Sequence, residues 1–335
     1  MPEAQPAAKV QPAPAGNGPA PAPKPIPQVP QPATRDPMWF SPLFVLAPAR
    51  SNSSIVTAMV SQHPELCGLP ELALFRHDNV RGLLTAPPGW KGPAPHLRMA
   101  GLYRALAQHH AGTQSPETVR DAARWVAARQ TWGVEHVFDH LLGLAAPRVV
   151  VEKSPENSSR EEYLRRLVAL YPRARFLHVS RHPVTTVRSM HRVWSDKGYW
   201  NLAPRLFHQF CLGVWLFQHQ RIARLVASLP PDRGLHVRSE DVLNAPEETL
   251  GRICRWLGVD RSPEAIAAMT HPENSPYAAL GPAGAMGGFD SGFLHDPNRR
   301  AAELPETLDL PGDWDVDPWM YLGVVEVAGK LGYGT

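Results

Sequence analysis

Short apolar runs separated by segments of helical period organise the chain from Leu43 onward. The first run, Leu43-Phe44-Val45-Leu46, is followed by a turn over 47–52 and a predicted helix over 53–62, which His63-Pro64 stops. A second run, Arg148-Val149-Val150-Val151, leads through Glu152-Lys153-Ser154-Pro155 into a helix with Tyr163, Leu164, Leu167 and Leu170 on one face. The third, Arg175-Phe176-Leu177-His178-Val179, ends at Ser180-Arg181-His182 before a helix opening at Pro183, a residue preorganised for the first helical position. The fourth, Leu235-His236-Val237-Arg238, precedes a turn over 241–245 and a helix over 246–257. A long helical stretch is predicted over 202–228, and residues 92–145 also read as mainly helical. Residues 271–317, rich in Gly, Pro and Asn, read as loops wrapping over the sheet. Strands alternating with helices predict an α/β fold, with a central parallel sheet flanked by helices.

Composition divides the chain near residue 37. Residues 1–37 hold 12 Pro and 8 Ala, with Val10, Ile26 and Val29 as the only large apolar side chains after Met1. That is too little apolar surface to repay the entropy of ordering, so 1–37 reads as a disordered, semi-extended linker and 38–335 as the folded domain. The net charge is +3, from 34 basic and 31 acidic residues that are interspersed, which gives no basis for a nucleic-acid partner. No run approaches the roughly 20 apolar residues of a membrane span, and Met1-Pro2-Glu3 does not open a signal peptide, so the expectation is a cytoplasmic protein without a membrane partner. Cys67, Cys211 and Cys254 are widely spaced with no CxxC pair, which predicts reduced thiols and no thiolate metal site.

Two strand-to-helix junctions carry anion-binding chemistry. At the first, Arg50-Ser51-Asn52-Ser53-Ser54 sets a guanidinium, three hydroxyls and backbone N–H groups at a helix start, where the macrodipole favours a phosphate. The loop lacks the Gly-Lys-Ser/Thr ending of a Walker A sequence, which disfavours a kinase-type phosphotransferase. At the second, Arg181 offers a bidentate cation, and Thr185 and Ser189 share one helix face. A nucleotide with phosphates at two positions of one ribose needs two such sites, and doubly wound folds present them at neighbouring strand ends.

On these residues the chain resembles sulfotransferases that use 3′-phosphoadenosine 5′-phosphosulfate (PAPS). Arg50 to Ser54 resembles their 5′-phosphosulfate loop, with Asn52 where glycine is usual, and Arg181-His182-Pro183 through Ser189 resembles their 3′-phosphate motif. Val237-Arg238-Ser239-Glu240-Asp241-Val242 resembles the strand-turn-helix segment that follows, with Ser239 where an aromatic residue is common. His63-Pro64 with Leu69-Pro70-Glu71-Leu72, together with Ser275-Pro276-Tyr277, Gly281-Pro282 and Leu331-Gly332-Tyr333, is similar to bacterial natural-product sulfotransferases of polyketide and peptide synthases. The resemblance implies a P-loop-like sulfotransferase fold with a helical insert over the acceptor site. It also implies PAPS as donor, PAP as product, and a hydroxyl acceptor that is a free small molecule or is held on an acyl or peptidyl carrier protein.

Sulfuryl transfer needs an in-line arrangement, a base for the acceptor proton and positive donors at the departing phosphate; no metal is required. The resemblance assigns the base to Glu71. Lys153, in a Glu-Lys-Ser-Pro sequence, is implied to contact the bridging oxygen or sulfuryl group; the alternative is a surface lysine paired with Glu152 or Glu156. His219 on the long helix is a candidate second acid-base group. Leu102, Leu106, Trp125 and Val126 fit a helical core, in a region where acceptor specificity is expected. Two readings stay open: an active enzyme, or a nucleotide-binding interaction module without turnover.

Overall fold

Every residue of the first strand is buried, and its two faces feed two separate cores. In the computed structural model, which describes residues 41–85, 98–196 and 203–334, β1 (Leu43–Leu46) turns Phe44 and Leu46 to one core and Leu43 and Val45 to the other. Alternate side chains of a strand point to opposite faces, and a parallel strand covered on both sides reads as a continuous apolar run. With β2 (Leu66–Gly68), β3 (Val149–Glu152), β4 (Arg175–Ser180) and β5 (Gly234–Arg238), it forms a five-stranded sheet in the order β2-β3-β1-β4-β5. All neighbouring pairs are parallel, with Phe44 beside Glu152 on β3 and Leu46 beside His178 on β4. The chain passes from β3 on one side of β1 to β4 on the other. A crevice opens at such a change of side, outside the carboxyl ends of the strands.

The helices cover both faces. α1 (Ser53–Ser61) follows β1; α2 (Val80–Leu84), α3 (Ala100–Ala111), α4 (Pro116–Ala127) and α5 (Val134–Ala145) form a helical insert between β2 and β3. α4 starts with Pro116 behind a reciprocal Ser115/Thr118 capping box and buries Val119, Ala122, Trp125 and Val126. Between β3 and β4 runs α6 (Glu161–Leu170), and α7 (Pro183–Asp196) and α8 (Pro204–Ser228) precede β5. α9 (Ser239–Asn244), α10 (Pro246–Leu257) and α11 (Pro263–Met269) follow, then α12 (Ser291–His295) and α13 (Pro318–Lys330). α7, α8 and α13 share a third core around the fully buried Trp215.

The four predicted strands and their following helices form where the pattern puts them. Other elements differ: α2, α11 and α12 are helices the pattern did not assign, α12 lying within the segment read as loops. β2 is a strand of three residues that pairs with β3, too short for the pattern to register. The predicted turn over 241–245 is instead the end of α9, because Val242 and Leu243 bury their side chains in a helical turn. α13 was not expected; it packs Met320, Val324, Val327 and Ala328 into the third core. Within 271–317, Tyr277, Phe289, Phe293 and Leu294 pack on Ala58 of α1, so this segment straps that helix. The Pro/Ala-rich segment over 1–37 and residues 92–97 of the predicted helical stretch lie outside the described residues. Among the described residues no helix is long and apolar enough to cross a membrane. The three cysteines are buried and free.

Candidate active site

A cavity of about 610 Å³ opens at the carboxyl ends of β1, β3 and β4. Its wall brings together Arg50, Asn52, Ser53 and Ser54 from the loop after β1, Lys153 from the end of β3, Arg181 from the end of β4, Ser189 from α7, and Glu71.

The loop after β1 is held in an uncommon backbone form. Arg50 (φ 67°) and Asn52 (φ 57°) both lie in the left-handed region, which costs a non-glycine residue on the order of 1–3 kcal/mol. Asparagine tolerates that region better than most residues, which accounts for its standing where glycine is usual. Asn52 precedes α1 without capping it; its Nδ2 donates instead to Ser239 Oγ at 3.2 Å. Among the described residues the start of α1 therefore has no side-chain cap, a ready anion site at a helix start. Ser54 Oγ accepts from Lys153 Nζ at 3.0 Å and from the Asp290 N–H at 3.3 Å. Ser51 is fully buried, lies off the cavity wall, and its Oγ has no partner among the described residues.

The second loop touches the first. Arg181 donates from Nη1 to the Arg50 carbonyl and from Nε to Thr185 Oγ1, both at 3.1 Å, and Trp215 Nε1 fixes the Arg181 carbonyl at 2.9 Å. Arg50 Nε donates to Ser189 Oγ at 3.1 Å. Behind the loop, the buried Glu240 accepts from the His182 N–H at 2.7 Å and from the Tyr333 hydroxyl at 3.1 Å. Burial, then the charges of Arg181 and Arg192, brings Arg50 down to about 10. Burial also lowers Arg181, with Arg192 adding to the effect and Glu240 opposing it. Three arginines are thus held against their mutual repulsion, with Asp290 ion-paired to Arg50.

Lys153 is 1% exposed and pairs with Glu71, which keeps 24% exposure toward the cavity. Its partner is neither Glu152 nor Glu156. Glu152 is fully buried and accepts from Ser154 Oγ and from Asn157 Nδ2 at 2.8 Å; burial, only partly offset by these bonds, raises it to about 7. The backbone of Glu71 is held on both sides. Its N–H donates to the Gly288 carbonyl at 2.6 Å, and a Cβ on Gly101 would collide with its carbonyl oxygen. Gly288 itself sits at φ 104°, where a Cβ would come 2.9 Å from Gly101 Cα. The segment carrying the carboxylate, the start of α3 and the C-terminal strap cross at one point only because glycines allow it.

His219 is not brought to the cavity. It is fully buried on α8, its Nδ1 2.8 Å from His178 Nε2 and its ring centroid 4.7 Å from that of Trp215. Burial and the nearby His236 push it well below the ordinary imidazole range. Other wall residues escaped the sequence reading: Arg192 and Trp194 on α7, and Phe289, Asp290, Asp296 and Arg300 on the strap. Arg192 lies three residues beyond Ser189, so helical spacing could have found it. The strap residues have no local signal; packing on α1 brings them in.

A family model described as the sulfotransferase family matches residues 42–263, a span that contains both anion loops, Glu71 and Lys153. The chain belongs to the sulfotransferase family. This sulfotransferase shares its fold with the sulfotransferase domain from the curacin biosynthetic pathway, at TM-score 0.71 and 21% identity over 88% of this chain and 98% of that one. The sulfotransferase domain from the Synechococcus PCC 7002 olefin synthase is similar, at TM-score 0.67 and 22% identity, covering 92% and 100% of the two chains. No curated protein sequence matches the chain.

Proposed function

We propose that this sulfotransferase takes PAPS as its donor and sulfates a hydroxyl of a natural-product acceptor, free or carrier-bound, with Glu71 as the base. One observation carries the reading: Arg50, Arg181 and Arg192 crowd together in a single cavity that also holds Glu71 and Lys153. A polyanion relieves that repulsion. Two separate loops favour a ligand with anionic groups at two positions, which fits a ribose bearing a 5′-phosphosulfate and a 3′-phosphate.

Arg50, Ser53, Ser54 and the uncapped start of α1 would hold the 5′ group, and Arg181 and Ser189 the 3′-phosphate. Asn52 would keep its loop in place through Ser239. Ser239 is buried and occupied by that bond, so the aromatic wall of the cavity is Trp194, Phe289 and Phe293. Bound there, PAPS supplies the sulfuryl group and leaves as PAP. Glu71 takes the proton of the acceptor hydroxyl as its oxygen bonds to sulfur. Lys153 Nζ, fixed by Ser54, offers positive charge where the departing phosphate oxygen gains its electron pair. His219 has no part in this scheme, being fully buried and off the cavity wall.

The acceptor class rests on the likeness of residues 63–72 to synthase-type enzymes and is extended from the curacin-pathway and olefin-synthase neighbours. In that setting the Pro/Ala segment would act as a tether. Three buried free thiols suit a reducing cytoplasm.

Calorimetric titration of PAP against adenosine 5′-phosphate tests the donor assignment. Arg181→Ala should weaken PAP at least 10-fold more than adenosine 5′-phosphate, which loses only the support Arg181 gives the Arg50 carbonyl, since only PAP has the second charge to lose. Equal weakening of both would reject the 3′-phosphate role. Mass analysis of acceptors incubated with PAPS then separates an enzyme from a binding module, which would take PAP and add no sulfuryl group to anything.

A further inference from the structure

Glu71 faces two spaces. One is the large cavity already described; the other is a smaller chamber of about 200 Å³, lined by Glu71, Ala73, Arg98, Ala100, Glu156 and Gly288. The arginine and serine side chains of the two anion loops are absent from its wall. The chamber exists because Ala73, Ala100 and Gly288 project little or nothing into it.

Glu156 is the unusual group here. Its Oε2 is buried and has no hydrogen-bond partner among the described residues. A buried carboxylate oxygen without a donor carries a desolvation cost, and such a group in a native structure calls for an explanation. The contrast lies close by: Glu152, four residues earlier at the end of β3, has donors from Ser154 and Asn157 on its two oxygens. Burial first, and then the charge of Glu71, raises Glu156, with Arg76 and Lys153 acting the other way, so the two carboxyls are near enough to feel each other across the chamber. Arg98 on the same wall, lowered by burial, is pushed up in turn by Glu156. A neutral or positive hydrogen-bond donor placed between them would satisfy Oε2 and reduce that repulsion.

We propose that this chamber receives the acceptor and that Glu156 accepts a hydrogen bond from a second donor, a hydroxyl or an amine, beside the hydroxyl that Glu71 deprotonates. The inference rests on the transferase reading above and narrows its acceptor to vicinal diols and amino alcohols. Glu156 is then a specificity residue, and the sulfuryl group is taken by the hydroxyl nearer Glu71.

The test uses the full chain with ³⁵S-labelled PAPS and three probes of one length: 1-pentanol, 1,2-pentanediol and 2-amino-1-pentanol. The wild type should label the diol and the amino alcohol with kcat/KM about 10- to 100-fold above pentanol, the worth of a hydrogen bond to a charged acceptor. Glu156→Ala should bring all three within about 2-fold of one another. Glu156→Gln, which keeps an acceptor oxygen but no charge, should retain the preference for the diol and lose that for the amine. PAP affinity, titrated in each variant, should stay at the wild-type value and shows that the fold is intact. Equal use of the three probes by the wild type overturns the inference, as does a preference that survives Glu156→Ala. Labelling of none of them by a protein that binds PAP also overturns it. Failure of the wild type to bind PAP would instead overturn the transferase reading on which it stands.

Discussion

Where β1, β3 and β4 end, charges of like sign are pressed together; one layer below, on the face of the sheet that meets the insert, aromatic rings fit without conflict. Phe44, Phe75, Phe138 and Tyr171 lie with centroids 5.3–6.0 Å apart, mostly edge to face, the arrangement ring quadrupoles favour. The strand ends hold two left-handed non-glycine residues, an arginine lowered by burial and by its neighbours, and a serine without a partner among the described residues. Under the proposed function, stability and activity therefore draw on different residues that are only a strand's length apart. The ring cluster fixes β1, and β1 delivers Arg50 and the start of α1 to the cavity.

The sharpest way to break this division is to empty the ring cluster. Phe138→Ala should cost about 3–5 kcal/mol in chemical denaturation, the usual range for a buried phenylalanine. The folded fraction should still bind PAP within about 2-fold; a collapse of PAP affinity at low denaturant would show that the two regions are one. Glu71→Gln is the mirror experiment. It should slow single-turnover sulfuryl transfer by about 10²-fold, the range for a lost base, with PAP affinity and unfolding midpoint close to the parent. Transfer at the parent rate would make Glu71 a structural residue.

The pH dependence of stability sharpens the contrast, because Glu152, at the end of β3, titrates in the neutral range. A carboxyl raised from 4.5 to about 7 binds its proton more tightly folded than unfolded. Its contribution is fully present below pH 4.5 and is lost as pH rises toward 7. Between pH 5 and pH 7 the loss is on the order of 2 kcal/mol. Glu152→Gln should remove that slope, whatever constant offset the lost acceptor introduces, and denaturation at the two pH values checks it. The smallest effect is expected at Asn52→Gly. Relief of the left-handed strain offsets loss of the Ser239 bond, so stability should stay within about 1 kcal/mol and PAP affinity within a few-fold. A larger drop in affinity would mean that the bond to Ser239 positions the loop.

Most of the charged layer was legible in the sequence because its residues sit at strand ends. A run such as Leu43 to Leu46 or Arg175 to Val179 marks a buried strand, and the residues that follow it fall at the sheet edge. Glu71 and Lys153 were assigned by likeness and not by pattern, and their contact is a tertiary fact: 82 residues separate them. β2 escaped because three residues ending in glycine give no period, and its partner lies far along the chain. α9 was read as a turn because Asp241 and Asn244 are turn formers, while the burial of Val242 and Leu243 that favours the helix is set elsewhere. Glu156 carried no signal beyond its position after Pro155. The space it faces is made by residues from three distant segments.

The crossing of Glu71, Gly101 and Gly288 bears on how new acceptor ranges can arise. A helical cover exchanged between homologous enzymes would bring its own residue at position 101, and any side chain there would push the backbone of Glu71 aside. Chimaeras joined after α3 keep the crossing and can change the roof freely, whereas junctions before it transplant a collision. Diversification of the roof is thereby channelled into α4, α5 and their connections, with Gly101 and Gly288 kept at the crossing.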